Sequence, residues 1–204
     1  MVKPGQIASV ILAGGKSSRM GTDKALITID GIPLLRKVCL ATLSITDSVY
    51  VIAPWIERYQ LVVPPKCHLI PEKPLTEGKW HQGPLIGFVQ AFKQIEQDWA
   101  LLLACDLPNL PSQELQRWFH YLQSIPPSSH LLLPRHFKGW EPLCGFYHRC
   151  KLPALEQYIA SGGRSFQAWL STQAVVELPV TDSRFLWNCN TPQDLDDLIL
   201  DKSH

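Results

Sequence analysis

The residues with the clearest chemical potential lie in one run, residues 12–24, which reads LAGGKSSRMGTDK. Its glycines, Gly14 and Gly15, allow the backbone to approach an anion closely and to turn its N–H groups toward it. Arg19 and Lys24 bring two cations to the same loop. A loop of this kind, placed directly after an apolar strand, is typical of a site that cradles a polyphosphate.

Two other phosphate-binding motifs are excluded at this loop. A P-loop would require glycine where Val10 stands, and the dinucleotide fingerprint G-x-G-x-x-G would require glycine in place of Lys16. The alternative interpretation is a glycine-rich surface loop with solvated basic residues. The position of the whole run behind an apolar strand favours phosphate binding.

Asp106 is the second candidate for chemistry, because it directly follows the apolar run WALLLAC. A carboxylate at the carboxyl end of a central strand is well placed to hold Mg²⁺, which prefers oxygen ligands and substrate phosphates. The alternative role for Asp106 is to cap a helix that begins near Ser112. Cys105 is interpreted as a small buried residue, since no Cys–His arrangement supports a nucleophile.

The run LAGGKSSRMGTDK resembles the signature of the molybdenum cofactor guanylyltransferase family, which belongs to a wider group of nucleotidyltransferases with a Rossmann-like sheet. The resemblance implies that the loop wraps a nucleoside triphosphate and that Asp106, in a C-D-x-P element, binds the metal. The implied catalytic residues are Arg19, Lys24 and Asp106. The implied nucleotide-binding residues are Leu12, Ala13, Gly14, Gly15, Lys24, Glu72, Gly83 and Asp106.

Further family elements follow in order along the chain. Residues 83–87 (GPLIG) match a loop that faces nucleotide and acceptor, and residues 188–192 (NCNTP) match an element near the acceptor. The resemblance implies acceptor contacts from Pro84, Leu85, Arg164, Asn188 and Asn190. Turn and capping roles for the two asparagines, and surface positions for Glu72 and Arg164, remain open. The chain departs from the family at residues 52–54 (IAP), where an asparagine is usual.

The elements that must position these residues alternate between apolar strands and amphipathic helices. Strands are predicted at residues 6–12, 48–52, 67–70, 99–105 and 130–133, with shorter ones at 143–147, 175–178 and 185–187. Helices are predicted at residues 33–45, 84–97 and 112–123, and a last one begins near Thr191. The alternation predicts an α/β fold, a single Rossmann-like domain over residues 1–204 with a mainly parallel central sheet flanked by helices. Ligands in such folds bind beyond the carboxyl ends of the strands.

The composition of the chain argues against nucleic acids and membranes as binding partners. The 204 residues carry 19 basic and 18 acidic side chains, a formal charge of +1, so no basic field for nucleic acid or anionic membranes is expected. No apolar run approaches the roughly 20 residues that span a bilayer, and no signal peptide is recognised. We therefore expect a cytoplasmic protein.

The six cysteines form no CxxC pair and are expected to be mostly reduced, buried thiols. Cys144, His148 and Cys150 share parity and would lie on one face of an extended strand. A metal site there would lack a fourth ligand at a recognisable spacing, so none is expected.

The function that the resemblance implies is transfer of GMP from Mg-GTP to the phosphate of molybdopterin, with or without molybdenum, and release of pyrophosphate. Mg²⁺ is the expected cofactor, and handover of the product to a cofactor chaperone or a molybdoenzyme is compatible with it. Alternatives are a related enzyme that uses CTP or a sugar or alcohol phosphate, and a non-catalytic nucleotide-binding chaperone.

Overall fold

A computed structural model of the chain describes residues 2–14, 23–75, 83–136, 139–189 and 194. Gly15, Arg19, Asn190 and the helix predicted from Thr191 onward lie outside these residues. The extent of the predicted single domain, residues 1–204, stays a prediction.

A central sheet of seven strands organises the molecule. Each strand lies within a residue or two of a predicted one. The strands are β1 (Ile7–Leu12), β4 (Val49–Ala53), β5 (Cys67–Pro71), β6 (Trp99–Ala104), β7 (Leu131–Leu133), β10 (Cys144–His148) and β11 (Val176–Glu177). Their order across the sheet is β11-β7-β10-β6-β1-β4-β5.

The sheet is mainly parallel, as predicted. β1 pairs in parallel with β4 on one side and β6 on the other, and β4 pairs in parallel with β5. β10 is antiparallel to both of its neighbours, β6 and β7. The carboxyl ends of β1, β4, β5 and β6 therefore meet at one edge of the sheet, together with the beginning of β10.

Helices cover both faces of the sheet because the strands are apolar on both sides. The helices are α1 (Leu34–Thr42), α2 (Pro84–Phe92), α3 (Ser112–Ser124), α4 (Leu152–Ala160) and α5 (Phe166–Leu170). α1 and α3 pack with Ile7 and Ile11 in one apolar core. α2, α4 and α5 pack with Ala8 and Val10 in the other. Alternate residues of β1 thus supply the two cores.

Two short hairpins complete the strands: β2 (Thr28–Ile29) with β3 (Ile32–Pro33), and β8 (Arg135–His136) with β9 (Gly139–Trp140). Neither hairpin was predicted from the sequence. Asp30 and Gly31 both have positive φ, at 56° and 74°. An Asp-Gly pair with this geometry is the preferred two-residue turn between antiparallel strands. The Asp30–Gly31 pair could therefore have predicted the β2–β3 hairpin from the sequence.

Some predicted bounds need correction. The strand predicted at residues 185–187 is wrong, because the chain forms the short 3-10 helix Ser183–Leu186, capped by the Asp182 carboxylate, which accepts from the backbone N–H of Arg184. α1 begins one residue after Pro33, which belongs to β3. α2 ends at Phe92, five residues before the predicted end, and the following turn carries Ile95 into the core.

The face-sharing arrangement of Cys144, His148 and Cys150 is also wrong. β10 ends at His148, and Cys150 lies in the 3-10 helix Arg149–Lys151. All six cysteines are free thiols. Four of them are buried, whereas Cys67 is half-buried and Cys150 is exposed.

No helix in the described part of the chain combines the length and the apolar character that a bilayer crossing requires.

Candidate active site

The ends of β1 and β6 form the floor of a cleft at the carboxyl edge of the sheet. Beyond β1, the backbone N–H of Ala13 donates to the Ile52 carbonyl at 3.0 Å. The N–H of Cys105 donates to the Leu12 carbonyl at 3.1 Å. These bonds hold the start of the glycine loop beside the segment that carries Asp106. The pairing of β1 with β6 therefore brings the glycine loop and Asp106, which lie far apart in the sequence, next to each other.

The cleft has a volume of about 350 Å³, and all seven of the described residues predicted for nucleotide binding line it. The predicted residues that line it are Leu12, Ala13, Gly14, Lys24, Glu72, Gly83, Pro84 and Asp106. Asp23, Ile52, Gly87 and Leu143 also line it. The parallel arrangement of the strands thus assembles the loop, the cation and the carboxylates in one place.

Lys24 and Asp106 face each other across the cleft. The Lys24 Nζ lies 3.4 Å from the Asp106 Oδ2, and both side chains are 18% exposed. Burial raises the pKa of the Asp106 carboxyl, and the nearby Lys24 ammonium lowers it only in part. A carboxylate that is costly to keep ionised in the free protein is a strong acceptor for an incoming cation.

Gly14 allows the loop to pass close to the neighbouring strand. Its φ of +84° is in the left-handed region, which a residue with a side chain rarely adopts. A Cβ at this position would lie 2.7 Å from the Cδ of Pro54 and 3.5 Å from the Tyr59 hydroxyl. Glycine is therefore required here for both backbone conformation and space.

Asp23, a cleft residue that the sequence analysis did not select, fixes the far end of the loop. One carboxylate oxygen accepts from the backbone N–H of Ala25 at 3.1 Å, and the other accepts from the Tyr59 hydroxyl at 2.7 Å. The Arg58 guanidinium lies 4.0 Å from Asp23 and stacks over the Trp55 ring at 4.8 Å. Asp23 could have been noticed beside Lys24, but no sequence signal pointed to Tyr59.

Glu72 and the beginning of α2 form the opposite wall. Gly83 precedes the helix with φ +92°, and Pro84 occupies its first turn. A Cβ on Gly87 would lie 3.5 Å from the Glu72 carboxyl carbon, an ordinary van der Waals distance, so the Glu72 side chain lies directly against α2. Burial raises the pKa of Glu72. The cleft therefore contains two partly desolvated carboxyl groups, Glu72 and Asp106.

The predicted acceptor residues are distributed over three places. Pro84 lines the cleft, whereas the Leu85 side chain is fully buried in the core beneath it. Arg164 donates to the carbonyls of Ile159 and Gly163, at 3.0 and 2.6 Å, and does not line the cleft. Asn188 lines an adjoining cavity of about 230 Å³.

That adjoining cavity borders the main cleft at Leu143, which lines both. The residue after Asn188, Cys189, donates its backbone N–H to the Asp106 carbonyl at 3.0 Å. The segment that carries Asn188 is therefore fastened directly to the segment that carries the central carboxylate.

Comparison with known proteins identifies the family to which this arrangement belongs. Residues 9–175 match the model of the MobA-like NTP transferase domain. The chain belongs to this family. It is accordingly a nucleotidyltransferase, and the family predicted from its signature loop is confirmed.

Relatives within the MobA-like family align over almost the whole chain. A protein of Trichormus variabilis, named a probable molybdenum cofactor guanylyltransferase, is 50% identical over 93% of this chain and 88% of its own length. A protein of the same name from Synechococcus elongatus is 43% identical, over 92% and 95% of the two chains. The structure of molybdopterin-guanine dinucleotide biosynthesis protein A from Archaeoglobus fulgidus superposes with a TM-score of 0.75 at 22% identity, covering 96% of this chain and 99% of that one. The last comparison confirms the fold.

Proposed function

We propose that this nucleotidyltransferase transfers GMP from GTP to the terminal phosphate of molybdopterin, with or without bound molybdenum, and releases pyrophosphate. The observation that carries the proposal is the Lys24–Asp106 pair, 3.4 Å apart beside the glycine loop, in a cleft of about 350 Å³. The names of the relatives that cover nearly the whole chain support the choice of guanine nucleotide and acceptor.

In the proposed reaction an oxygen of the acceptor phosphate attacks the α-phosphorus of GTP, and the bond from that phosphorus to the β-phosphate bridging oxygen breaks. The electron pair leaves with pyrophosphate. Because the acceptor phosphate is already ionised, no strong general base is needed. Catalysis would depend on positioning and on neutralising the charge that grows on the leaving group.

The backbone around Leu12, Ala13 and Gly14 would lie against the triphosphate, as predicted. Lys24 would neutralise phosphate charge, and Asp23 and Tyr59 would hold the loop end that carries it. Gly15 and Arg19 stay predictions for the same loop. Glu72, on the opposite wall, would contact the nucleotide.

The donor chemistry of the cleft fits a divalent metal of the Mg²⁺ type. Asp106 offers carboxylate oxygens in a partly desolvated setting, and Glu72 adds a second carboxyl group in the same cleft. We propose that Asp106 is the metal ligand. Bound there, Mg²⁺ would supply neutralisation of phosphate charge and a fixed orientation of the triphosphate.

We propose that the acceptor occupies the space between the start of α2 and the adjoining cavity. Pro84 and Asn188 line the two parts, and Leu143 belongs to both. The Asn188 side chain can both donate and accept hydrogen bonds, which suits the edge of a pterin or a phosphate. Leu85 and Arg164 would act indirectly, through the packing of α2 and the turn before α5, and Asn190 stays a prediction.

The six free thiols are compatible with a reducing compartment, and we propose a cytoplasmic location. Handover of the finished cofactor to a chaperone or a molybdoenzyme is part of the same proposal.

The decisive test is pyrophosphate release by purified protein with Mg²⁺, molybdopterin, and GTP, CTP, ATP or UTP in turn. Release with GTP, accompanied by a product heavier than the acceptor by one GMP unit, is expected. Release with CTP instead would keep the fold and the mechanism but contradict guanine selection. Nucleotide binding without release would favour a different acceptor or a non-catalytic role.

A matched variant tests the metal assignment. Asp106→Asn keeps the shape of the side chain but removes its charge, so transfer should fall by a factor on the order of 10³. Its circular dichroism spectrum should match that of the wild-type protein. Near wild-type transfer by this variant would refute Asp106 as the metal ligand.

A further inference from the structure

A cluster of metal-ligating side chains lies at the edge of the central sheet opposite the active-site cleft. Among the residues that the structure describes, His130, His148 and Cys150 bring three donor atoms within 4.8 Å of one another. His130 directly precedes β7, His148 ends β10 and Cys150 lies in the following 3-10 helix. The third member, His130, lies just before the neighbouring strand β7 and 18 residues before His148, which is why spacing along the sequence did not reveal the cluster.

Backbone hydrogen bonds hold the three residues in place. The N–H of His148 donates to the His130 carbonyl at 2.9 Å, which fixes the two histidines side by side. The N–H of Cys150 donates to Nδ1 of His148 at 3.2 Å, which occupies the Nδ1 lone pair and leaves Nε2 of this ring as the metal-binding atom. The intervening Arg149 donates its backbone N–H to the Asp98 carbonyl at 2.7 Å. The turn that presents the thiol is thus fastened to the sheet.

The surroundings of the rings restrict their movement and leave the thiol accessible. The His148 ring packs edge-on against Trp99, with centroids 4.8 Å apart, and lies 5.2 Å from the His130 ring. Both histidines are half-buried, whereas Cys150 is exposed. The Arg149 guanidinium donates to the Ile95 carbonyl, so this cation is engaged by another segment. An ion from solvent can reach the cluster on the side of Cys150.

Two imidazoles and one thiol form a ligand set of intermediate softness, which suits zinc and its neighbours better than magnesium. Zinc–ligand bonds of about 2.0–2.3 Å in tetrahedral geometry place ligand atoms about 3.5 Å apart. Because no two of the three donor atoms are more than 4.8 Å apart, closures of at most about 1.3 Å would bring them to that value. We propose that His130, His148 and Cys150 bind a divalent transition metal of the zinc type, with water as the fourth ligand.

The location of this site separates it from nucleotidyl transfer. His148 lies opposite Trp99, at the beginning of β6, whereas Asp106 follows the end of that strand. The six residues of β6 are extended, so the two ends of this strand, and with them His148 and Asp106, are about 20 Å apart. A metal bound here would connect β7, β10 and the turn before α4, and would raise thermal stability by binding only the folded chain. It would not change the transfer reaction.

The test is a titration with Co²⁺ of tag-free protein from which metal has been removed, in a buffer that contains a phosphine reductant. The protein carries Asp106→Asn, so that the proposed metal ligand of the cleft is absent. One equivalent should bind with a thiolate-to-cobalt charge-transfer band and tetrahedral visible bands, and Zn²⁺ should displace it. Cys150→Ser should abolish the charge-transfer band, and His130→Ala should weaken binding by at least about tenfold.

Cys67→Ser is the matched control, because Cys67 is the half-buried thiol on β5, on the other side of β1 in the sheet. It should retain the charge-transfer band and the rise in melting temperature with Zn²⁺. Absence of the band in the parent protein, or its survival in Cys150→Ser, would overturn the proposal. With Asp106 intact and Mg²⁺ present, Cys150→Ser should keep wild-type transfer, and a loss would contradict a structural role.

Discussion

Asp106 is the residue at which stability and catalysis are expected to oppose each other. Burial raises the pKa of its carboxyl group in the folded protein despite the neighbouring Lys24. The folded chain therefore binds this proton more tightly than the unfolded chain does. The protonated carboxyl therefore contributes to the free energy of unfolding. This contribution is fully present below the unfolded pKa of about 3.9 and is lost as the pH rises through the higher pKa of the folded protein.

Asp106→Asn removes this penalty because asparagine cannot ionise. At neutral pH we expect a free energy of unfolding equal to or slightly above that of the wild-type protein, with transfer lost. The difference in stability should shrink as the pH falls toward the unfolded pKa of about 3.9, below which the carboxyl is protonated in both the folded and the unfolded chain. Urea unfolding at several pH values measures it. A variant clearly less stable at neutral pH would mean that the ion pair with Lys24 outweighs the cost of burial.

Gly14 is a residue at which conformation and space act together. Gly14→Ala places a methyl group on a backbone with φ +84° and 2.7 Å from the Pro54 ring. We expect a loss of about 2–4 kcal/mol of unfolding free energy, from backbone strain and overpacking, and a raised KM for the nucleotide.

Gly31→Ala is the control for the backbone contribution. Gly31 has a comparable φ of +74°, and no heavy atom lies within 4 Å of the added methyl. This variant should lose only about 1 kcal/mol and keep its KM. Equal losses of stability in both variants would show that the contact with Pro54 is unimportant.

The elements of the active site depend on contacts that join separate segments, and the Tyr59–Asp23 bond is the clearest case. Tyr59 is fully buried at the end of the 3-10 helix Ile56–Arg58, and its hydroxyl holds the loop end that carries Lys24. Tyr59→Phe removes one buried hydrogen bond, so it should cost about 1–2 kcal/mol of stability. Transfer should fall about three- to tenfold, because Asp23 then loses one of the two hydrogen bonds that hold it and the neighbouring Lys24 in place.

Tyr158→Phe is the matched control for the loss of a tyrosine hydroxyl. The hydroxyl of Tyr158 donates to the Ser165 carbonyl at 3.2 Å, between α4 and the start of α5, and does not contact the cleft. Steady-state kinetics should show wild-type kcat and KM for this variant. If Tyr59→Phe also kept both constants, Tyr59 would have no positioning role.

The sequence predicted elements best where hydrophobic patterning was strong. The apolar runs of β1 and β6 marked two central strands, and the residues after them, Gly14 and Asp106, lie in the cleft because parallel strands end at one edge. The short hairpins have too few residues to show a period. Tyr59 and Asp23 are 36 residues apart and meet only through packing, so no local pattern could pair them.

At the scale of the whole molecule, Glu114 connects a helix on one face of the sheet to the segment that leads toward Asn188. This buried carboxylate of α3 accepts from the backbone N–H and the hydroxyl of Thr181, at 2.9 and 2.7 Å. It also accepts from the Trp118 indole N–H at 3.1 Å and from Arg117 at 2.9 Å. The two Thr181 contacts fix α3 against the chain that follows β11, whereas the Trp118 and Arg117 contacts lie within the helix.

Glu114→Ala should therefore destabilise the entire fold. Burial raises the pKa of Glu114, but the hydrogen bonds from Thr181 and the contacts with Arg117 lower it by more. The pKa of Glu114 in the folded protein is therefore below its usual value. The resulting stabilisation is present above the unfolded pKa of about 4.3 and is lost as the pH falls through the lower folded value. The difference between wild-type and variant proteins should be largest at neutral pH and should decrease under acid conditions.

We expect Glu114→Ala to lose about 2–4 kcal/mol at neutral pH, since it removes the acceptor of both Thr181 donors and one of the two acceptors of the buried Trp118 indole N–H. Glu156→Ala is the control, because Glu156 forms a more exposed ion pair with Lys93 that should be worth less than about 1 kcal/mol. Chemical denaturation of both variants at neutral and acid pH measures the two effects. If the loss of stability in Glu114→Ala did not change with pH, the loss would come from packing. Ionisation of the Glu114 carboxylate would then contribute nothing to the connection between α3 and the segment after β11.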